Sequence, residues 1–106
     1  MEKTKIKKYN PIIIDSDYDI TAELTVAQFD LDLPNRTVNF IDIKQYFTKW
    51  WFDNRSQFVR YKTYMAFAEL LKLHHATVIH LVKRRKASYN YDDNIKNIKE
   101  FLYYNE

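Results

Sequence analysis

The stretch Phe67-Ala68-Glu69-Leu70-Leu71-Lys72-Leu73-His74-His75-Ala76-Thr77-Val78-Ile79-His80 decides the fold. Thr63, just before it, carries the hydroxyl of a helix cap. The apolar set Met65, Phe67, Ala68, Leu70 and Leu71 then predicts a helix over Tyr64–Leu71. Lys72, Leu73 and His74 leave room for a turn, and a second helix is predicted over 75–86. Two short helices joined in this way are the helix-turn-helix arrangement. Projected on a helical wheel, Val78, Ile79, Leu81 and Val82 fall on one side of the second helix. Ala76, Thr77, His80, Lys83 and Arg84 fall on the other. The first side suits packing on the preceding helix. The second offers hydrogen-bonding groups and cations, and its small residues near the start permit close approach. A helix that enters a DNA major groove N-terminus first needs those properties.

Upstream, Ile43, Phe47, Trp50 and Trp51 recur at helical spacing, with Lys44, Gln45, Thr48 and Lys49 between them. They predict a helix over 42–52 and a loop at Asp53-Asn54-Arg55-Ser56. The aromatics Tyr46, Phe47, Trp50, Trp51 and Phe52 are expected in the core. Downstream, a loop over 87–91 precedes a last helix over 92–104, capped by Asn90 or Asp92 and buried along Ile95, Ile98, Phe101 and Leu102. Tyr89, Tyr91, Tyr103 and Tyr104 are expected to pack with their hydroxyls wet.

The first part of the chain reads differently. Residues 1–11 are basic and polar, a flexible arm or edge element ending at Pro11. Ile12, Ile13 and Ile14 read as a short strand. Residues 18–33 carry two periods. Phe29, Leu31 and Leu33 alternate with Asp30 and Asp32, whereas Ile20, Leu24, Ala27 and Leu31 recur as on a helix. A helix or turn with an extended end is expected there, and Pro34-Asn35 breaks the chain. The expected fold is mainly α, with an N-terminal extension over 1–40 and a helix-turn-helix domain over 41–106.

Composition narrows the chemistry. The 106 residues contain neither cysteine nor glycine. Disulfides, thiolate metal sites and cysteine nucleophiles are thereby excluded. So are phosphate loops, dinucleotide fingerprints and nucleophile elbows, all of which need glycine. No cofactor, no nucleotide and no enzymatic activity are expected. His75 and His80 point differently around a helix and have no acidic third ligand, so no metal site is expected either. Asp15-Ser16-Asp17-Tyr18-Asp19 opens like a calcium loop, but Ile20 and Val26 stand where that loop needs Gly and Glu. No apolar run is long enough for a signal peptide or a membrane span, and a cytoplasmic chain is expected. Ile, Lys, Asn, Tyr and Phe make up 46 of the 106 residues, which suggests an AT-rich bacterium or its phage.

Charge is unevenly placed. Residues 1–43 hold five Lys/Arg against eight Asp/Glu, a balance of −3, and residues 44–106 hold twelve against six, a balance of +6. Lys83-Arg84-Arg85-Lys86 is the densest cationic run in that second part. Concentrated positive charge is the footprint of phosphate binding, although basic residues also favour a helix C-terminus.

The stretch quoted above resembles the DNA-binding domain of the bacterial chromosomal replication initiator DnaA, a module that small phage and mobile-element proteins also carry alone. His75, Thr77, Val78, Ile79, His80 and the following Lys83-Arg84 match the family pattern, and Ala76 is a common variant in it. The resemblance is strongest over 63–86. Asp42-Ile43-Lys44 and the aromatics after it look like the family's earlier helix, and residues 92–102 like its closing one. The family fold is a Trp-repressor-like helix-turn-helix. The resemblance implies base contacts in the major groove by His74, His75, Ala76 and Thr77. It implies backbone or minor-groove contacts by Lys72, His80, Lys83 and Arg84, and by either Arg55 or Arg60.

Two positions depart from the family. His74 stands where the family has Asp, which exchanges an acceptor of cytosine N4–H for a potential donor. Leu73 stands where it usually has Arg or Lys, and the turn holds no glycine. With no phosphate loop among these 106 residues, no counterpart of the initiator's ATPase domain is expected in them. The function that follows is a sequence-preferring binder of double-stranded DNA, a small phage or bacterial regulator or replication-associated factor. The alternative is a protein-interaction factor that keeps the fold without the DNA role, for example a phage protein that binds a host protein. A protein partner or a homodimer fits either.

Overall fold

The computed structural model describes residues 16–34, 37–85 and 88–105, and every regular element among them is helical. In chain order these are α1 (Asp17–Phe29), α2 (Val38–Asp53), a 3₁₀ turn (Arg55–Gln57), α3 (Tyr64–Leu71), α4 (His75–Lys83), α5 (Tyr91–Asn94) and α6 (Lys96–Asn105). The strand expected at Ile12, Ile13 and Ile14 lies outside the described residues.

Local chemistry sets the helix starts. The Asp19 N–H donates to the Ser16 hydroxyl at 3.1 Å, Phe40 N–H to Thr37 at 3.3 Å and Ala66 N–H to Thr63 at 3.0 Å. Each satisfies a backbone donor that the first helical turn leaves open.

Two helix ends use a less common device. Asp30 (φ 55°) and Lys72 (φ 57°) are left-handed, a conformation that normally falls to glycine. After each, the chain closes back on the helix: Leu31 N–H donates to the Val26 carbonyl at 3.1 Å, and Leu73 N–H to the Ala68 carbonyl at 2.8 Å. This is the Schellman closure, which places an apolar residue under the helix end. Leu31 is fully buried, and Leu73 packs against the core. In a chain without glycine, the left-handed conformation is held against its steric cost. Lys72→Gly is therefore expected to stabilise the fold by about 0.5–1 kcal/mol, read as a rise of a few degrees in melting temperature.

The core forms around α2, with Phe47, Trp50, Trp51, Phe58, Phe67, Leu71, Val78, Ile95, Ile98 and Leu102 buried together. Several polar residues of α2 are buried as well. Lys44, Gln45 and Thr48, read as the spaces between apolar positions, are buried because α2 is covered on several sides: α4, α5 and α6 pack against it, and the Lys44 ammonium donates to the Leu33 carbonyl of the turn after α1 at 3.4 Å. Thr48 satisfies its hydroxyl on the Lys44 carbonyl at 2.7 Å.

Other expectations are corrected. Residues 18–29 are helical throughout, and 29–33 form a helix end and turn instead of an extended segment. The alternation there is coincidental: Leu31 is buried by the Schellman closure, and Leu33 is half exposed. Ala22 and Val26 of α1 and Leu31 just beyond it belong to the main core cluster. Met65 is 66% exposed, since only Phe67, Ala68 and Leu71 of α3 turn fully inward. α4 ends at Lys83, three residues earlier than expected. The last helix is broken at Ile95, and Tyr89 and Tyr103 are exposed where packing was expected.

Between the 3₁₀ turn and α3, the backbone is fastened to α1. The buried Asp19 carboxylate accepts from the N–H groups of Val59 at 3.2 Å and Arg60 at 3.0 Å. Glu23 accepts from the Tyr61 hydroxyl and pairs with Arg60. Burial, reinforced by the hydrogen bond to Glu23, pushes the Tyr61 phenol up to about 12 from its ordinary 10.0. The folded chain thus keeps this proton more tightly than the unfolded chain. The contribution to stability is fully present below pH 10 and is lost as pH rises towards 12. Melting temperatures at pH 9 and pH 11.5 should show a steeper alkaline fall for the natural chain than for Tyr61→Phe.

Candidate nucleic-acid interface

α3 and α4 pack against each other through a three-residue turn, Lys72-Leu73-His74. Val78 and Leu81 are the buried residues of α4, and Ile79 and Val82 are half-buried beside them. His75, Thr77, His80 and Lys83 are exposed, with Ala76 half-buried between them. The outer arc of α4 is thus two imidazoles, a hydroxyl and an ammonium, and Lys72 adds another exposed cation in the turn.

His74 has a structural task as well as an exposed position. It is the N-cap of α4, and its Nδ1 accepts from the Ala76 N–H at 3.1 Å. The ring stacks on His75 with centroids 4.4 Å apart. Leu73 is the apolar foot of the Schellman closure at the end of α3.

The remaining predicted contacts separate. Lys72 is exposed and lies 3.7 Å from the Asp32 carboxylate, a surface pair of little energetic weight. Arg55 stacks over Phe52 at 4.4 Å and over Tyr64 at 5.8 Å, with no carboxylate paired to it among the described residues. Arg60 pairs with Glu23 and lies over its neighbour Tyr61 at 5.1 Å. Both arginines precede α3, whose eight residues separate them along the chain from the turn by a helix about 12 Å long.

Arg84 turns inward. Its guanidinium donates to Asp42 at 3.1 Å and to Gln45, and the Gln45 amide donates to the Arg84 carbonyl. Asp42 is fully buried and accepts a further bond from Asn94 at 3.0 Å. The block of cations expected to face solvent therefore divides: Lys83 and Arg85 are exposed, Arg84 ties the end of α4 to Asp42 and Gln45 of α2, with Asp42 in turn bonded by Asn94 of α5, and Lys86 lies outside the described residues. Sequence reasoning missed Asp42, Gln45 and Asn94 as parts of this network. The one available signal was a carboxylate between two isoleucines, Ile41-Asp42-Ile43.

Among the described residues no group of three or more His, Asp or Glu is placed to hold a metal, and no helix is long and apolar enough to cross a membrane. No family model, curated protein or solved structure matches the chain.

Proposed function

We propose that the chain is a sequence-preferring double-stranded DNA-binding protein of the kind carried by phages and bacteria as a small regulator or replication factor. The observation that carries this reading is the outer face of α4. A helix-turn-helix presents His75, Thr77, His80 and Lys83 to solvent from a helix whose other side is locked in the core. In this reading α4 lies in the major groove with its N-terminus deepest. His74, His75, Ala76 and Thr77 meet base edges, while His80 and Lys83 meet the backbone as the helix leaves the groove. Lys72 contacts a phosphate beside the turn. Arg55, stacked on Phe52 and Tyr64, or Arg60, in an exposed pair with Glu23, reaches the neighbouring minor groove. Arg84 positions α4 from behind.

The test is selection from random oligonucleotides, paired with gel shifts at two salt concentrations and melting curves. His75→Ala is expected to flatten sequence preference, costing about 1–3 kcal/mol on the best site and little on random DNA. Lys83→Ala should weaken all sequences evenly and lower the salt slope by about one. His74→Asp supplies a strong N-cap, so its fold survives while its preference moves towards the initiator's usual box. Identical selected motifs from folded natural chain, His75→Ala and His74→Asp would overturn groove reading by this helix.

A further inference from the structure

We propose that the outward face of α1 is a docking surface for a basic amphipathic helix of another protein. The observation is that α1 is inverted. Its inward side carries Asp19, Thr21 and Thr25, all buried, beside Ala22 and Val26. Its outward side carries Ile20 (45% exposed) and Leu24 (50% exposed), with the exposed Ala27 one turn further on. An ordinary surface helix places these groups the other way round. The buried polar groups are satisfied: Asp19 holds two backbone N–H groups of the 58–63 loop, and Thr25 donates to the Thr21 carbonyl at 2.6 Å. Nothing in the fold therefore requires the outer positions to be aliphatic. The bonds to Asp19 hold the Val59 backbone to the first turn of α1, and the Val59 side chain is itself 42% exposed.

Charge selects the occupant. α1 has no Lys or Arg; of its acids, Asp19 is buried and turned inward and Glu23 is paired with Arg60, so the exposed carboxylate of the helix is Asp17, joined by Asp30 just beyond its end. Asp17 and Asp30 are exposed at the two ends of the stripe, about 20 Å apart at helical rise. Glu23, paired with Arg60, lies on its flank. An aliphatic ridge at i, i+4 and i+7 between two carboxylates matches an apolar groove edged with Lys or Arg. A second copy fits poorly: antiparallel pairing of two α1 helices sets Asp17 against Asp30 at both ends, with no cation on α1 to answer them. α1 packs on α6 and α3, whereas the DNA-facing residues are on α4, so the two surfaces belong to different helices.

The experiment uses the full chain and two labelled helical peptides of identical apolar stripe, one flanked by Lys and one by Glu. Fluorescence anisotropy should show the Lys peptide binding at least ten-fold more tightly than the Glu peptide. Ile20→Gln/Leu24→Gln should weaken it at least ten-fold at unchanged melting temperature. Asp17→Asn/Asp30→Asn should weaken it several-fold and reduce its salt dependence. Lys83→Ala should leave it unchanged, which separates this surface from the DNA reading. Equal binding of the two peptides, or undiminished binding by Ile20→Gln/Leu24→Gln, would overturn the proposal. So would self-association in sedimentation that Leu24→Gln abolishes, because the occupant would then be a second copy.

Discussion

Asp42→Ala is expected to remove about 3 kcal/mol of folding stability, a fall of roughly 12–24 °C in melting temperature. The carboxylate is fully buried in α2 and accepts from Arg84 at 3.1 Å and from Asn94 at 3.0 Å. Cutting it back leaves a guanidinium whose side chain is only 25% exposed facing an empty space in place of its counter-charge. The cost comes from that orphaned charge more than from the lost attraction, since pairing two ions inside a protein roughly repays their desolvation. A discriminating control follows. Asp42→Leu/Arg84→Met removes both charges and should recover most of the loss. Thermal unfolding of Asp42→Leu, of Arg84→Met and of the double closes the cycle. The same variants test the division of labour at the end of α4. If Arg84 anchors the helix and does not touch DNA, the double variant keeps its DNA affinity wherever it is folded. Arg84→Ala that lost affinity at an unchanged melting temperature would instead make it a phosphate contact.

Trp51→Ala is expected to cost about 3–5 kcal/mol, comparable to the whole stability of many small domains. Trp51 has no exposed surface, stacks on Phe67 with centroids 4.3 Å apart and meets the Tyr64 ring edge-on at 5.6 Å. Its indole N–H donates to the Tyr61 carbonyl. One side chain thus joins α2 to α3 and to the loop before it. Deleting it leaves a large cavity and an unpaired carbonyl together. Trp51→Phe refills much of the volume but leaves the carbonyl, and should cost about 1–3 kcal/mol. Chemical denaturation of both variants separates the two contributions. If the chain binds DNA as proposed, binding should fall with the folded fraction in each, because α3 carries α4.

The helices of the 41–105 region were legible because their signals are local. Thr63 caps α3 at the position its hydroxyl suggests, and Ile95, Ile98 and Leu102 are buried as their spacing requires. Proximity along the chain is enough for such bonds and stripes, and no distant partner has to be known. Where two local signals competed, as over 18–33, the sequence could not choose. Leu31 satisfies both periods, and its burial depends on Asp30 turning left-handed and closing the helix.

The candidate site divides along the same line. The imidazoles, the hydroxyl and Lys83 on the outer arc of α4 follow from the wheel alone once Val78 and Leu81 face inward. Arg84 could not be placed in that way. On the wheel it belongs with Lys83, but the helix ends at Lys83, so the next residue leaves the helical path and its side chain goes to Asp42 and Gln45. Those partners lie 42 and 39 positions away in the chain. His74 as a cap and Leu73 as the foot of a closure depend on the backbone angles of the turn, which residue types alone do not specify. The sequence by itself therefore determined the helical class, the helix-turn-helix spacing and the chemistry available on α4. Tertiary packing decided which cations are used inside, which polar residues of α1 and α2 are buried, and which aliphatic residues of α1 remain outside. Burial and ion pairing are properties of residues brought together from distant parts of the chain, and no periodicity within one helix encodes them.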